Sequence, residues 1–274
     1  MSASSQPPVI SAADAKARAA ARGIAADELM DELLEAARSK AIVPVSGFAV
    51  GAVARGVSGA LYLGANLEFS GHPLNASVHA EQAAVANAMA NGERGIDALA
   101  TTATPCGHCR QFLNELANAH ALRILARGAP PATLGELLPA SFGPAQLGVS
   151  DRLMDGRKHG LRLAGPSSDP LVAAALEAAD ASHAPYGKTP VGIALQLDDG
   201  TLVLGRYAES AAFNPSLSPL QAALSALALA GTAFDRIRAA ALVETRGPAS
   251  QRAATEALLA TVAPGVVLAY ARAV

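Results

Sequence analysis

Apolar residues recur along this chain with two alternating periods, and the alternation outlines a fold. Leu29, Leu33, Leu34 and Ala37 fall at helical spacing and give residues 27–40 one apolar face, which predicts an amphipathic helix closed by Pro44. Ahead of it, Ser11 with Asp14 three residues on reads as the cap of a shorter helix that Gly23 stops. The runs 48–54 and 60–67 read as two strands joined by a turn over 56–59. Gln82 to Met89 is Ala-rich and predicts a helix, and Ile96 to Ala103 a strand. A further helix starts near Cys106 and runs through Phe112, Leu113 and Leu116, before a strand over 122–125. Elements in this order predict an α/β fold with helices on both faces of a mixed sheet.

Residues 129–148 hold Pro130, Pro131, Pro139, Gly143 and Pro144, and predict a connector. A second periodic unit starts near Asp169 and repeats the first. Val191-Gly192 matches Val50-Gly51, and Leu204-Gly205-Arg206-Tyr207-Ala208-Glu209 matches Leu63-Gly64-Ala65-Asn66-Leu67-Glu68 at the same offset. Ser218-Pro219-Leu220-Gln221 falls where His79-Ala80-Glu81-Gln82 stood, and Gly247-Pro248-Ala249 near Thr104-Pro105-Cys106. Chance likeness between two alanine-rich units is the competing explanation. Duplication divides the chain into an N-terminal helical arm (1–24), a first domain (25–128), a Pro/Gly-rich linker (129–168) and a second domain (169–274) that keeps the scaffold without its His, Glu and Cys.

Composition narrows the partner. The chain of 274 residues is 51% hydrophobic, enough for two modest cores. A net charge of −2 and the absence of tryptophan leave neither a basic footprint for a nucleic-acid backbone nor many stacking platforms, so a small molecule is expected. Met1 to Pro8 is polar and carries no secretory pattern. The longest uncharged interval, 210–234, contains Asn214, Pro215, Pro219 and Gln221 and reads as a loop and buried helix, not a membrane span. A cytoplasmic location, which keeps the cysteines reduced, is the expectation.

Both cysteines lie in Pro105-Cys106-Gly107-His108-Cys109, downstream of His79-Ala80-Glu81. Zinc takes tetrahedral nitrogen and sulfur ligation, and catalytic sites leave one position open. His79, Cys106 and Cys109 supply three ligands, and the sulfur supply ends there. Cys106 and Cys109, three apart, lie on neighbouring rows of a helix start, where unpaired N–H groups favour thiolates. His79 and Glu81 would point about 200° apart on a continuous helix, so the helix end itself has to face the metal. Two thiolates and a neutral imidazole cancel the ion's charge, so it acidifies water less than an all-histidine site, and a base must assist. Glu81 suits that role, a proton shuttle worth roughly 10²–10⁴ in rate. The residues leave three alternatives open: a redox Cys-x-x-Cys pair, a closed structural zinc site using His72, His108 or His120, and Glu81 as a helix-start residue favoured by the dipole. His108 is expected to point away from the metal, and His120, His159 and His183 carry no partner pattern.

His-x-Glu followed by Pro-Cys-x-x-Cys is the known signature of zinc-dependent base deaminases. Beyond it, the chain resembles the two-domain, homodimeric bacterial cytidine deaminases from about Asp31 to the C-terminus. The likeness is carried by Ser46-Gly47-Phe48-Ala49-Val50-Gly51-Ala52, Gly64-Ala65-Asn66-Leu67-Glu68-Phe69, Val78-His79-Ala80-Glu81-Gln82, the segment 104–112, and Tyr207 to Pro215. The resemblance implies hydrolytic deamination of cytidine and 2'-deoxycytidine to the uridine nucleosides in pyrimidine salvage, with one Zn2+ per chain. It also implies a three-layer α/β/α cytidine-deaminase fold with a mixed sheet, duplicated as a catalytic and a degenerate domain.

By the same resemblance Asn66, Leu67 and Glu68 form the ribose segment, with Asn66 and Glu68 bonding a sugar hydroxyl. Phe48 packs on the pyrimidine unless it is a buried strand residue, and the backbones of Ala80 and Thr104 read the base edge. Phe142 closes the pocket, in the neighbouring subunit, or else anchors the linker in the core. Arg110 offsets thiolate charge or ends in solvent. Rival functions are an editor of polynucleotide cytosines, which needs basic grooves, a deaminase of modified nucleosides, and a zinc-stabilised binding protein without activity.

Overall fold

The computed structural model describes residues 8–274, so the polar start of the chain, residues 1–7, lies outside it. β1 (Val9–Ile10) and α1 (Ala12–Arg22) come first. Ser11 Oγ accepts from the Asp14 N–H at 3.1 Å, and Gly23 closes α1 at φ +64°, where a Cβ would be strained. α2 (Ala26–Arg38) buries Leu29, Met30, Leu34 and Ala37, the face that the periodicity marked. β2 (Gly51–Gly56), β3 (Leu61–Ala65), α3 (Ala80–Ala90), β4 (Ile96–Thr101), α4 (Gly107–Leu113), β5 (Arg123–Ala126), β6 (Ala132–Thr133) and the one-turn α5 (Leu134–Leu137) complete the first half. Its sheet runs β1-β3-β2-β4-β5-β6, parallel only at β4/β5.

The second half is α6 (Pro170–Asp180), β7 (Val191–Leu197), β8 (Leu202–Arg206), α7 (Pro219–Ala230), β9 (Ile237–Thr245), α8 (Arg252–Val262) and β10 (Leu268–Ala273). Its sheet, β10-β9-β7-β8, repeats β5-β4-β2-β3 in order and direction. The register repeats as well. Ala52 faces Gly64 and Thr101, Ile193 faces Gly205 and Leu242, and the irregularity at Arg55/Gly56 recurs at Gln196/Leu197. Chance likeness between alanine-rich helices does not reproduce hydrogen-bond register.

The glycines of the repeat mark where a helix seats on a strand. A Cβ on Gly64 would lie 2.2 Å from Ala80 O, and one on Gly205 would lie 1.9 Å from Pro219 O. The starts of α3 and α7 are therefore held hard against their sheets, which fixes where the residues at those starts stand. Outside, α2 covers one face of the first sheet with Leu29, Met30 and Leu34 against Val53 and Leu63, and α6 covers the second. Between the sheets, α3 and α7 share one continuous core that includes Val85, Ala88, Leu220 and Leu224. The region 210–234 folds as a loop and α7, and among the described residues no helix is long and apolar enough to cross a membrane.

The structure differs from the sequence expectations in three places. The first strand of the hairpin starts at Gly51, not Phe48, because Gly47 at φ +65° and the Asn66 side chain turn the preceding residues into a loop. The supposed arm and linker both contribute to the sheets. Val9 and Ile10 pair with Tyr62 and Leu61, and Ala132 and Thr133 with Ile124 and Arg123, covering both edges of the first sheet. Leu163 bridges Ala273 at the edge of the second. Finally, α4 stops at Leu113 instead of reaching Leu116, and Glu115 N closes a tighter turn onto Phe112 O at 3.1 Å.

Candidate metal and active site

Two helix starts converge on the site. His79 precedes α3 in extended conformation, φ −83° and ψ 154°, so its ring leaves the helix end and not its side. Val78 fixes the approach, exchanging both backbone hydrogen bonds with Leu67 at 2.8 and 2.9 Å. Cys106 stands in the same position before α4, and Cys109 lies in the first turn.

His79 Nδ1 lies 3.4 Å from Cys106 Sγ and 3.3 Å from Cys109 Sγ, and the two sulfurs are 3.8 Å apart. Zinc–sulfur bonds of about 2.3 Å and a zinc–nitrogen bond of about 2.0 Å at tetrahedral angles call for roughly 3.8 Å between sulfurs and roughly 3.5 Å from sulfur to nitrogen. The donor set fits zinc in element type and in spacing. Of the histidines open as a fourth ligand, His108 stacks on His79 with centroids 4.9 Å apart, and His72 Nε2 lies 2.7 Å from Thr261 Oγ1. Among the described residues the metal-binding group is His79, Cys106 and Cys109 alone, which leaves a position open as in catalytic sites.

Contact with Cys109 and His79 holds the Cys106 thiol down at about 3, while contact with Cys106 and burial push Cys109 well up. The hydrogen bond with Cys106 raises the pKa of His79, against the opposing effect of burial. Glu81 is 4% exposed, and burial raises its pKa against the opposing effect of hydrogen bonds from its own backbone and from Cys109. A carboxyl that keeps its proton longer is suited to handing one over.

A cavity of about 270 Å³ opens beside the metal group, lined by His79, Cys106 and Glu81. Phe48, Asn66, Glu68, Ala80 and Thr104 also line it, and neither lysine nor arginine does. Phe48 is 63% exposed on the loop before β2, which removes its reading as a buried strand residue. Asn66 holds that loop, accepting from Val50 N at 2.8 Å and donating to Phe48 O at 2.9 Å. Glu68 accepts from the N–H groups of Val45 and Ser46 at 2.9 Å and from Ser46 Oγ. Burial pushes its pKa up, but these bonds outweigh it and hold the carboxyl below the usual range.

Two residues of the expected set stand apart from this cavity. Leu67 is fully buried, with both backbone groups spent on Val78, so it offers a sugar nothing. Phe142 is 47% exposed, and its carbonyl accepts from Gln111 Nε2 and Asn114 Nδ2, outside the cavity of its own chain. Arg110 is bound internally, donating to Pro105 O and Leu137 O at 2.8 Å, so neither expectation for it describes its contacts. Sequence reasoning passed over Ser46, whose hydroxyl and N–H join Glu68 at the cavity wall.

Two family models described as the cytidine and deoxycytidylate deaminase zinc-binding region match residues 25–123 and 134–256. Cytidine deaminases of Yersinia pestis (strain Pestoides F) and Serratia proteamaculans (strain 568) are each 48% identical to this chain, over 244 and 239 residues. These alignments cover 89% and 87% of the chain and 82% and 81% of the relatives. A solved cytidine deaminase from Mycobacterium tuberculosis aligns at 34% identity over 42% of this chain and 96% of its own, with a TM-score of 0.39.

Proposed function

The chain belongs to the cytidine and deoxycytidylate deaminase family, and on that premise we propose that His79, Cys106 and Cys109 hold the zinc with which it deaminates cytidine and 2'-deoxycytidine, Glu81 carrying the protons. The observation that carries this reading is that Glu81 opens, almost fully buried, onto the same cavity as His79 and Cys106.

Held by His79, Cys106 and Cys109, zinc would supply Lewis-acid activation of the attacking water. Glu81 takes one proton from that water and delivers it to N3 of the pyrimidine as C4 gains the oxygen. A second proton passes through Glu81 to the amino group, which leaves C4 as ammonia and yields the uridine nucleoside. Phe48 offers its ring to the pyrimidine, and the backbones of Ala80 and Thr104 its edge. Asn66 and Glu68 retain unused hydrogen-bonding capacity for a sugar hydroxyl beyond what the loop consumes. In the homodimer, Phe142 serves the neighbouring subunit's pocket, a reading supported by its exposure and by its absence from the lining of its own. Cytoplasmic pyrimidine salvage is the setting this reading implies, supported by a ligand set whose two cysteines need a reducing compartment to stay free.

Ammonia release from cytidine, deoxycytidine, CMP, cytosine and single-stranded DNA tests the reading, together with metal analysis. Zinc at one per chain and release from the two nucleosides are expected. A zinc-loaded protein that releases no ammonia would be a binding protein instead.

A further inference from the structure

Gln82 and Glu115 are buried polar side chains of the first half that the reaction does not use, and both find partners in the second half. Gln82 is 1% exposed; its Nε2 donates to Pro215 O at 2.8 Å while its Oε1 accepts from the N–H of His79 at 3.3 Å. Glu115 is fully buried; Oε1 accepts from Ala211 N at 2.8 Å and Oε2 from the Tyr186 hydroxyl at 2.5 Å. A carboxylate without water is costly unless hydrogen-bonded, and the groups that satisfy this one belong to the zinc-less half.

Their positions relative to the metal group give these bonds a direction. Gln82 follows Glu81 directly in the first turn of α3, and Glu115 lies just beyond α4, whose start carries Cys106 and Cys109. Ala211 and Pro215 belong to one loop, closed by the Ala208–Leu217 bridge. Glu209 ties the start of that loop to Tyr186 N and Gly187 N at 2.7 and 2.9 Å. From the other side Gln221 Nε2 donates to Ala76 O at 2.7 Å, in the segment that leads into His79.

We propose that the second half serves as the outer support of the zinc site, and that Gln82 and Glu115 are positioning residues that set His79 against Cys106 and Cys109 through the loop 208–217 and Tyr186. The inference rests on the zinc site proposed above. The halves are also joined by Arg206 Nη1 donating to Met89 O at 2.9 Å, at the opposite end of α3 from the metal. That bond supplies a control which costs an interdomain contact without touching the ligands.

The test is the rate at which the zinc-loaded full chain releases zinc to a chromophoric chelator, for wild type, Gln82→Met, Tyr186→Phe and Arg206→Met, each at the same interval below its own melting temperature. Groups that orient metal ligands are worth about 10–100-fold in metal affinity, so Gln82→Met and Tyr186→Phe are expected to release zinc at least about tenfold faster than Arg206→Met. Release from both at the rate of Arg206→Met would overturn the proposal and leave these bonds as ordinary interface. If Gln82→Met does not fold, Tyr186→Phe, which removes one oxygen, decides. A wild-type chain that holds no zinc would remove the site itself, and the support with it.

Discussion

Substituting alanine at Gly64 asks whether the seat of α3 on β3 sets the chemistry. The new methyl would lie 2.2 Å from Ala80 O, 2.4 Å from Ala84 N and 2.7 Å from Ala84 Cβ. The two nearest atoms are backbone and cannot rotate away, so the first turn of α3 has to retreat by roughly 1 Å, and His79 and Glu81 with it. Overpacking of this kind costs about 1–3 kcal/mol, or roughly 2–4 °C in Tm for each kcal/mol in a chain of this size. Misplacing a catalytic group by about 1 Å costs about 10²-fold in rate. Gly192→Ala is the internal control, with its methyl 2.1 Å from Ala179 N on α6, which makes none of the contacts to the metal group. The assay is kcat for cytidine, the thermal midpoint and the zinc content of both variants. Both are expected to lose similar stability, while Gly64→Ala alone loses about two decades in kcat. Wild-type kcat in Gly64→Ala, or an equal loss in Gly192→Ala, would refute the reasoning.

Glu81→Gln is nearly isosteric and cannot carry a proton, so zinc should stay bound while kcat falls by about 10²–10⁴; unchanged turnover would mean another base. Because Glu68 and Glu81 line the cavity and no lysine or arginine does, CMP should show a lower kcat/KM than cytidine by about tenfold or more, and Glu68→Gln should narrow the gap; equal values for the two substrates would defeat this. Asp27 is held below the usual carboxylate range by its hydrogen bonds to Arg123, with burial opposing and the charges of Arg123 and Arg55 assisting. A depressed carboxyl stabilises the fold above its unfolded pKa of about 3.9 and loses that contribution as pH falls through its folded value. Urea midpoints should therefore show Asp27→Asn less stable than wild type at pH 7, with the deficit shrinking toward about pH 3; an undiminished deficit would count against the ion pair.

What could be read from the sequence was local. The buried face of α2 follows from Leu29, Leu34 and Ala37, and the candidate ligand set from two cysteines three apart at one helix start and a histidine at another. The loop before β2 was not readable, because 48–54 is as apolar as a strand and the bonds that break it come from Asn66, sixteen residues from Val50. Leu67 illustrates a signal that was present and unused. In extended chain, side chains alternate, so Asn66 and Glu68 at the cavity wall put Leu67 on the core side. Glu115 had no such signal, since its partners Tyr186 and Ala211 stand 71 and 96 residues away.

The duplicated half shows what the chemistry cost the scaffold. Glu209 holds Tyr186 N and Gly187 N as Glu68 holds Val45 N and Ser46 N, so the loop-holding part of the role of Glu68 is separable from any contact with a sugar. The helix starts differ in the opposite sense. His79 and Cys106 occupy the cap positions of α3 and α4 without a side-chain cap, whereas Ser218 caps α7 through Gln221 N at 3.2 Å. A serine there is worth about 1 kcal/mol over a residue that cannot cap. At the start of α7 the cap position holds the residue a helix prefers, and at the matching start of α3 it is given to His79. The capping rule is thus broken at the two helix starts that converge on the metal group and kept at the α7 start that matches α3.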